Sequence, residues 1–136
     1  MKSHHPNIRK VFCVGMQALR RELESVGITV VGADEHLFAY DDPVSMEVFE
    51  TYELDPDIGA VVFGLDTDFT YSKLALATLY VNEGGCKLIA TNEDACMNIG
   101  GRKYPSCGAA LSSLLISLKD PDSCEVLGKP NPYCIE

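Results

Sequence analysis

Small and acidic residues end two apolar, strand-like runs in the middle of the chain, and the residues at these ends are candidates for binding a ligand. Leu65 and Asp66 come just after residues 60–63, and Asn92 and Asp94 come just after residues 87–90. A helix-like run lies between them, so this stretch is typical of a βαβ unit with parallel strands. Ligand-facing residues in such units lie just past the carboxyl ends of the strands. We therefore expect the functional site here.

The rest of the chain repeats this alternation of strands and helices. Residues 11–14 and 28–31 are short apolar strand patterns, and residues 17–26 between them place Leu19, Leu23 and Val26 on one helical face. Later, the Gly100-Gly101 pair predicts a tight hairpin turn. The sequence therefore predicts an α/β fold, a three-layer sandwich around a mostly parallel sheet built from βαβ units.

Further elements are expected on either side of the central unit. Short elements are predicted at residues 44–52 (helix) and 125–127 (strand), and a last helix begins at Ser106 or Cys107. The central helix pattern, residues 71–81, is apolar nearly all round, so we expect it to be covered by the sheet or by a second chain. The intervening residues 33–43 are expected to be the most mobile part of the fold.

Charge and composition exclude several classes of function. The 136 residues carry a formal net charge of −9, which argues against nucleic acid as a partner because phosphate neutralisation needs Lys and Arg. No apolar run reaches the ~18 residues of a membrane span, and the first ten residues lack the apolar middle of a signal peptide. We therefore expect a cytoplasmic protein without a membrane partner.

Metal, disulfide and dinucleotide sites have weaker support. Thirteen of the twenty carboxylates lie between Arg21 and Lys73, where a solvated acidic surface is favoured over a metal site. The six cysteines form no CxxC pair and are expected to be reduced and mostly buried. The first strand-to-helix turn has one glycine where a dinucleotide fingerprint needs three.

Three stretches together resemble one group of phosphatases. They are GAVVFGLDTDFTYSKL, LIATNEDACMN with its following Gly-Gly and GAA, and VLGKPNPYCIE. They are similar to the haloacid-dehalogenase-superfamily enzymes known as p-nitrophenylphosphatase, phosphoglycolate phosphatase and pyridoxal-phosphate phosphatase. FCVGMQALRRELESVGI is similar to the segment that opens the large α/β cap domain of these enzymes.

This resemblance implies a division of the chain. Residues 1–10 would be a tail or linker, residues 11–120 the cap domain, and residues 121–136 the start of the returning catalytic core. In the family an Asp-x-Asp pair supplies the nucleophile and the acid/base group, Mg²⁺ is bound, and a GKP lysine, here Lys129, offsets phosphate charge. The sequence has Asp-x-Asp spacing at residues 55–57 and 66–68, but both align with cap positions. The chain is therefore expected to bind no Mg²⁺ and to be inactive by itself.

The resemblance also implies which residues select the substrate. Leu65 stands where the pyridoxal-phosphate enzymes carry Tyr, and Met97 stands roughly where they carry His. Both differences favour a small phosphorylated substrate such as phosphoglycolate or glycerol phosphate. Asp66 lies in the same GLD motif, and Asn92 and Asp94 keep the TNxD pattern. For Asn92 and Asp94, loop capping and substrate contact are equally supported.

Two further expectations concern association and an alternative function. The helix at residues 71–81 and the strand at 87–90 carry more apolar surface than a one-sided sheet cover needs, and related phosphatases pair through their caps, so a homodimer is expected. The alternative function is a self-standing, non-catalytic domain of the same fold that binds a small molecule or a protein.

Overall fold

The computed structural model describes residues 8–32, 46–67, 69–91, 94–120, 122 and 124–126. Within them the chain forms seven strands and four helices. In chain order they are β1 Lys10–Val14, α1 Gln17–Ser25, β2 Thr29–Val31, α2 Met46–Glu50, β3 Ala60–Phe63, α3 Tyr71–Asn82, β4 Lys87–Ala90, β5 Cys96–Ile99, β6 Arg102–Pro105, α4 Cys107–Ile116 and β7 Glu125–Val126.

Five strands form one sheet in the order β2-β1-β3-β4-β7, and all four strand pairs are parallel. Val11 lies opposite Ala60, and Ala60 lies opposite Lys87, so the three central strands are in step. This parallel sheet confirms the predicted fold class. It also brings the carboxyl ends of β1, β2, β3 and β4 to one edge.

The sheet is covered on both faces because alternate side chains of each strand point in opposite directions. Phe12, Val61 and Leu88 belong to a core shared with α3 and α4. Val11 and Val62 belong to a second core, against which α1 packs. The molecule therefore has the three layers that the sequence predicts.

Helix α3 crosses the sheet from the carboxyl ends of the strands toward their amino ends. Thr70 caps its start, because the Thr70 hydroxyl accepts a hydrogen bond from the Lys73 backbone N–H at 3.3 Å. Leu76 and Tyr80 are buried in the larger core, whereas Tyr71 is 61% exposed. This helix was expected to be covered by its own sheet or by a second chain, and the sheet covers the face that carries Leu76 and Tyr80.

The hairpin β5–β6 lies outside the main sheet and confirms the turn prediction. Gly100 and Gly101 have φ angles of +61° and +80°, which is the left-handed pair that a two-residue hairpin turn requires. Every residue of the hairpin strands except Met97 is exposed.

Some sequence predictions need correction. Val26 is 48% exposed, because α1 ends at Ser25 and Val26 leaves the apolar face of that helix. Of the helix predicted at residues 44–52, Met46–Glu50 are helical and Thr51 and Tyr52 are not, whereas residues 44 and 45 lie outside the described residues. Cys13, Cys86 and Cys107 are buried and form no disulfide, as predicted, but Cys96 is exposed on the hairpin. The expectations for residues 33–43 and Lys129 lie outside the described residues.

Candidate functional site

Three neighbouring strands end at a glycine. Gly15 follows β1, Gly32 follows β2 and Gly64 follows β3. A Cβ atom built at Gly15 or at Gly64 would lie 2.8 Å from the Cδ2 of Leu19. A side chain at either position would therefore require the Leu19 side chain to move, and α1 lies close to the strand ends. This close approach fixes one wall of the candidate site.

An ion pair is buried directly beside these glycines. The Lys73 Nζ donates to Asp66 Oδ2 at 2.7 Å, and their side chains are 10% and 6% exposed. Asp66 lies at the carboxyl end of β3, and Lys73 lies in the first turn of α3. The ion pair therefore links the two ends of the loop that connects β3 and α3. Sequence reasoning singled out Asp66 as a specificity residue but missed Lys73. The missed signal was a lysine within an otherwise apolar helix, seven residues after an aspartate.

A cavity of about 70 Å³ opens next to this pair. Asp66, Lys73 and Arg20 contribute the charged part of its wall. The other lining residues include Gln17 of α1 and the buried Cys13 of β1. The Arg20 Nη2 donates to the Val30 carbonyl at 3.2 Å, which holds the guanidinium against the end of β2. The cavity is therefore lined from β1, α1, β3 and α3 together.

The ends of β3 and β4 carry the other predicted specificity residues. Leu65 is partly buried and packs against the larger core, so only part of its side chain faces outward. Thr91 follows β4, and its backbone N–H donates to the Phe63 carbonyl at 3.0 Å. The two strand ends therefore lie side by side, as the βαβ prediction requires.

The remaining candidates are on the loop and the hairpin that follow β4. The Asp94 carbonyl accepts the Gly108 N–H at 2.7 Å, which ties this loop to the first turn of α4. Met97 is half-buried on β5, where it pairs with Tyr104 of β6. Asn92 lies outside the described residues.

Two of the aspartates with Asp-x-Asp spacing, Asp55 and Asp66, have carboxylates held in structural interactions. Asp55 accepts a hydrogen bond from Lys10 Nζ at 2.5 Å and another from the Asp57 N–H at 2.9 Å. The bond from Lys10 is the main reason that the pKa of Asp55 lies below its usual value. Asp66 is bound to Lys73, as described above. Neither of these two carboxylates is placed as a nucleophile facing open space.

Two wider observations constrain the site. No group of three or more His, Cys, Asp or Glu side chains suited to a metal ion occurs within the described ranges. No helix in the same ranges is long and apolar enough to cross a bilayer. The described residues therefore do not fit a Mg²⁺ site, and we derive no chemical step through a metal.

Comparison of the sequence with known proteins finds relatives among phosphatases. The chain is 31% identical over 132 residues to a 4-nitrophenylphosphatase from Schizosaccharomyces pombe, covering 96% of the chain and 43% of that protein. It is 30% identical to the glycerol-3-phosphate phosphatase of Rattus norvegicus, covering 93% of the chain and 38% of the relative. It is also 30% identical to phosphoglycolate phosphatase 2 of Arabidopsis thaliana, covering 98% of the chain and 44% of that protein. The chain thus spans about two fifths of the length of the curated relatives it matches, and no family model matches it.

Solved structures agree with these relatives. A thermostable p-nitrophenylphosphatase from Bacillus stearothermophilus superposes with a TM-score of 0.68 at 25% identity, over 98% of this chain and 42% of that one. A glycerol phosphate phosphatase from Mycobacterium tuberculosis, solved in complex with magnesium, superposes with a TM-score of 0.67 at 25% identity. This match covers 95% of this chain and 32% of that one. The same mycobacterial phosphatase has also been solved with calcium.

Proposed function

Because the chain is homologous to one segment of the haloacid-dehalogenase-family phosphatases, we propose that residues 11–120 are the cap domain of a phosphatase that cleaves small phosphate monoesters. One observation carries this proposal. Nearly the whole chain aligns with a single segment of three phosphatases, and its parallel sheet brings the carboxyl ends of neighbouring strands to one edge, which supports a ligand-facing role for the residues that follow them. In this proposal residues 1–10 are a linker, and residues 121–136 lead back into the catalytic core.

The proposed role of the cap is to select the leaving group. Three side chains are proposed to face the organic part of the substrate. They are Leu65 at the end of β3, the adjacent Asp66, and Met97 on the hairpin. Asn92 and Asp94 complete this set. Leucine and methionine offer no aromatic stacking and no imidazole, so a small aliphatic phosphate such as phosphoglycolate or glycerol phosphate is favoured over a pyridine ring. The named relatives include phosphatases for both of these small esters.

Chemistry would be completed by the catalytic core of the intact enzyme. Lys129 is proposed to offset the charge of the phosphate there, and Mg²⁺ would be bound by that core rather than by the described residues. A related phosphatase structure contains magnesium, which supports a divalent metal in the intact enzyme. The 136-residue polypeptide alone is expected to be inactive.

A graft tests the proposal directly. Residues 11–120 would replace the aligned segment of the Schizosaccharomyces pombe 4-nitrophenylphosphatase, and kcat/KM would be measured for p-nitrophenyl phosphate, phosphoglycolate and pyridoxal phosphate. We expect the graft to remain active and the isolated chain to show no turnover. Leu65→Tyr with Met97→His should raise the ratio of pyridoxal phosphate to phosphoglycolate activity about tenfold, because pocket changes of this kind amount to roughly 1–3 kcal/mol.

The matched control is Ile116→Tyr, which adds an aromatic ring at a position that is 84% exposed at the end of α4. It should leave the activity ratio unchanged. A folded graft without activity would contradict the cap assignment. An active graft whose ratio does not respond to the double substitution would remove Leu65 and Met97 from the specificity site.

We further propose that the cap forms a homodimer, although through a different surface from the one first expected. Strand β4 is central in the sheet, with Leu88 and Ile89 in the two opposite cores, so it offers no free apolar face. The exposed apolar side chains include Ile99 and Tyr104 on the hairpin. Sedimentation should give a species of about 30 kDa that Ile99→Asp converts to the 14.8 kDa monomer, whereas Ile116→Asp should leave it intact. A monomer at micromolar concentration would exclude the dimer.

A further inference from the structure

The charged cavity lies where the topology of the sheet reverses. From β1 the chain crosses to β2 on one side, and the later strands β3 and β4 lie on the other side. Open parallel sheets bind ligands in the crevice outside the carboxyl ends of the strands at such a point. Cys13 and Gly15 from the end of β1 and Asp66 after β3 line the cavity there. This location separates it from the edge of β3 and β4 to which the proposed function assigns substrate selection, although Asp66 borders both.

The charge balance of the cavity differs from that of the whole chain. Arg20 and Lys73 are cationic and Asp66 is anionic, so the wall carries one net positive charge in a polypeptide of net charge −9. The Lys73 residue is only 8% exposed, and the Arg20 side chain is 24% exposed. Glu24 forms an ion pair with Arg20 at 3.9 Å from Nε, but it does not line the cavity, and its 52% exposure weakens its effect on the Arg20 charge. An anion in the cavity would therefore be attracted in a partly desolvated place, where screening is weak.

The start of α1 adds to this attraction. Its N-cap residue is Met16, whose side chain makes no capping hydrogen bond, and Gln17 of its first turn lines the cavity. The N–H groups of a helical first turn carry partial positive charge and favour anions. Arg20 and the start of α1 therefore border this small space from one helix, and Lys73 borders it from α3.

We infer that this cavity binds a single small oxyanion, such as a phosphate or a carboxylate group. The cavity has room for an ion of a few heavy atoms, whereas pockets for larger organic ligands measure about 300–1,000 Å³. The inference does not depend on the proposed phosphatase function, because it concerns binding by these residues alone. It assigns Arg20 as the main contact of the anion and Lys73 as the buried charge behind it.

The test uses the 136-residue chain and inorganic phosphate. Thermal unfolding would be followed over about 0.1–100 mM phosphate, with sodium chloride holding the ionic strength constant. A ligand that binds only the folded state raises the unfolding temperature in a saturable way. We expect saturation with a dissociation constant in the millimolar range. A second series with glycolate, which has a carboxylate but no phosphate, shows whether the cavity binds only phosphate or oxyanions in general. Saturation by neither anion would overturn the inference.

Two variants and a control separate binding from stability. Arg20→Gln should raise the phosphate dissociation constant about tenfold or more, because a charge-assisted contact is lost. Gln17→Glu should weaken binding by a similar factor while raising the unfolding temperature in the absence of phosphate, since a carboxylate favours a helix start. Lys103→Gln removes the same charge from the exposed hairpin and should change the constant by less than about twofold. An equal effect of Arg20→Gln and Lys103→Gln would show non-specific charge screening and would also overturn the inference.

Discussion

Two lysine–aspartate pairs lie at opposite ends of the same central strands. Lys10 and Asp55 meet at the amino end, with side chains 28% and 32% exposed. Asp66 and Lys73 meet at the carboxyl end, with side chains 6% and 10% exposed. The two pairs have the same chemistry but different surroundings. Burial therefore decides what each pair contributes.

The physical difference lies in solvation. Water screens the pair at the amino end, so either partner can lose the other and remain hydrated. The pair at the carboxyl end is largely removed from water, so either residue without the other would lose the opposite charge that offsets its burial. Helix α3 joins the two ends, because it carries Lys73 in its first turn and Tyr80 near its last turn.

Breaking the buried pair is expected to have the largest effect. Lys73→Met removes the positive charge that offsets the buried Asp66 carboxylate and should lower the free energy of unfolding by about 3–5 kcal/mol. Adding Asp66→Leu removes the stranded charge, so the double variant should recover most of that loss. Urea unfolding of the two single variants and the double variant gives the coupling between the residues. Purely additive effects would show that the pair is not a unit.

Removing one hydroxyl from the core beneath the exposed pair should have an intermediate effect. The Tyr80 hydroxyl accepts the Asp55 N–H at 3.2 Å and shares a 3.3 Å hydrogen bond with Tyr52. Tyr80→Phe removes both of these hydrogen bonds and should lower the free energy of unfolding by about 1–2 kcal/mol. The matched control, Tyr71→Phe, alters an exposed ring of the same helix and should change stability by less than about 0.5 kcal/mol.

Spectroscopic titration of the tyrosines provides a second readout of the Tyr80→Phe variant. Burial, together with the hydrogen bond to Tyr80, raises the pKa of Tyr52 well above its usual value. Removing the Tyr80 hydroxyl should bring that pKa down, whereas Tyr71→Phe should leave it where it is. An unchanged pKa of Tyr52 would contradict the hydrogen-bonded pair.

The smallest expected effect concerns acid sensitivity at the exposed pair. The hydrogen bond from Lys10 lowers the pKa of Asp55, so the folded state favours the carboxylate. This contribution is fully present above the unfolded-state pKa of about 3.9 and is lost as the pH falls through the lower folded-state value. The stability difference between the native chain and Asp55→Asn should therefore shrink below about pH 4 and should also shrink in 1 M salt. A difference that is constant from pH 6 to pH 2 would contradict this origin.

Local patterns in the sequence determined most of the secondary structure. Strands β3 and β4 occupy the predicted residues 60–63 and 87–90, and α3 extends the predicted helix at residues 71–81 by one residue. The hairpin turn was also predicted, because two adjacent glycines suit its left-handed geometry. These features depend on neighbouring residues, whose spacing can be read directly. The parallel sheet then followed from the order of strands and helices.

The tertiary structure alone decided where the charges and the candidate site lie. Lys73 follows Asp66 by seven residues, and only the packing of α3 against β3 removes water from both and makes them a pair. The cavity likewise needs Arg20 from α1 and Asp66 from β3, which lie far apart along the chain. Solvation depends on what surrounds a side chain from every direction. Periodicity along one segment fixes which face a residue occupies, but it does not fix which distant elements cover that face.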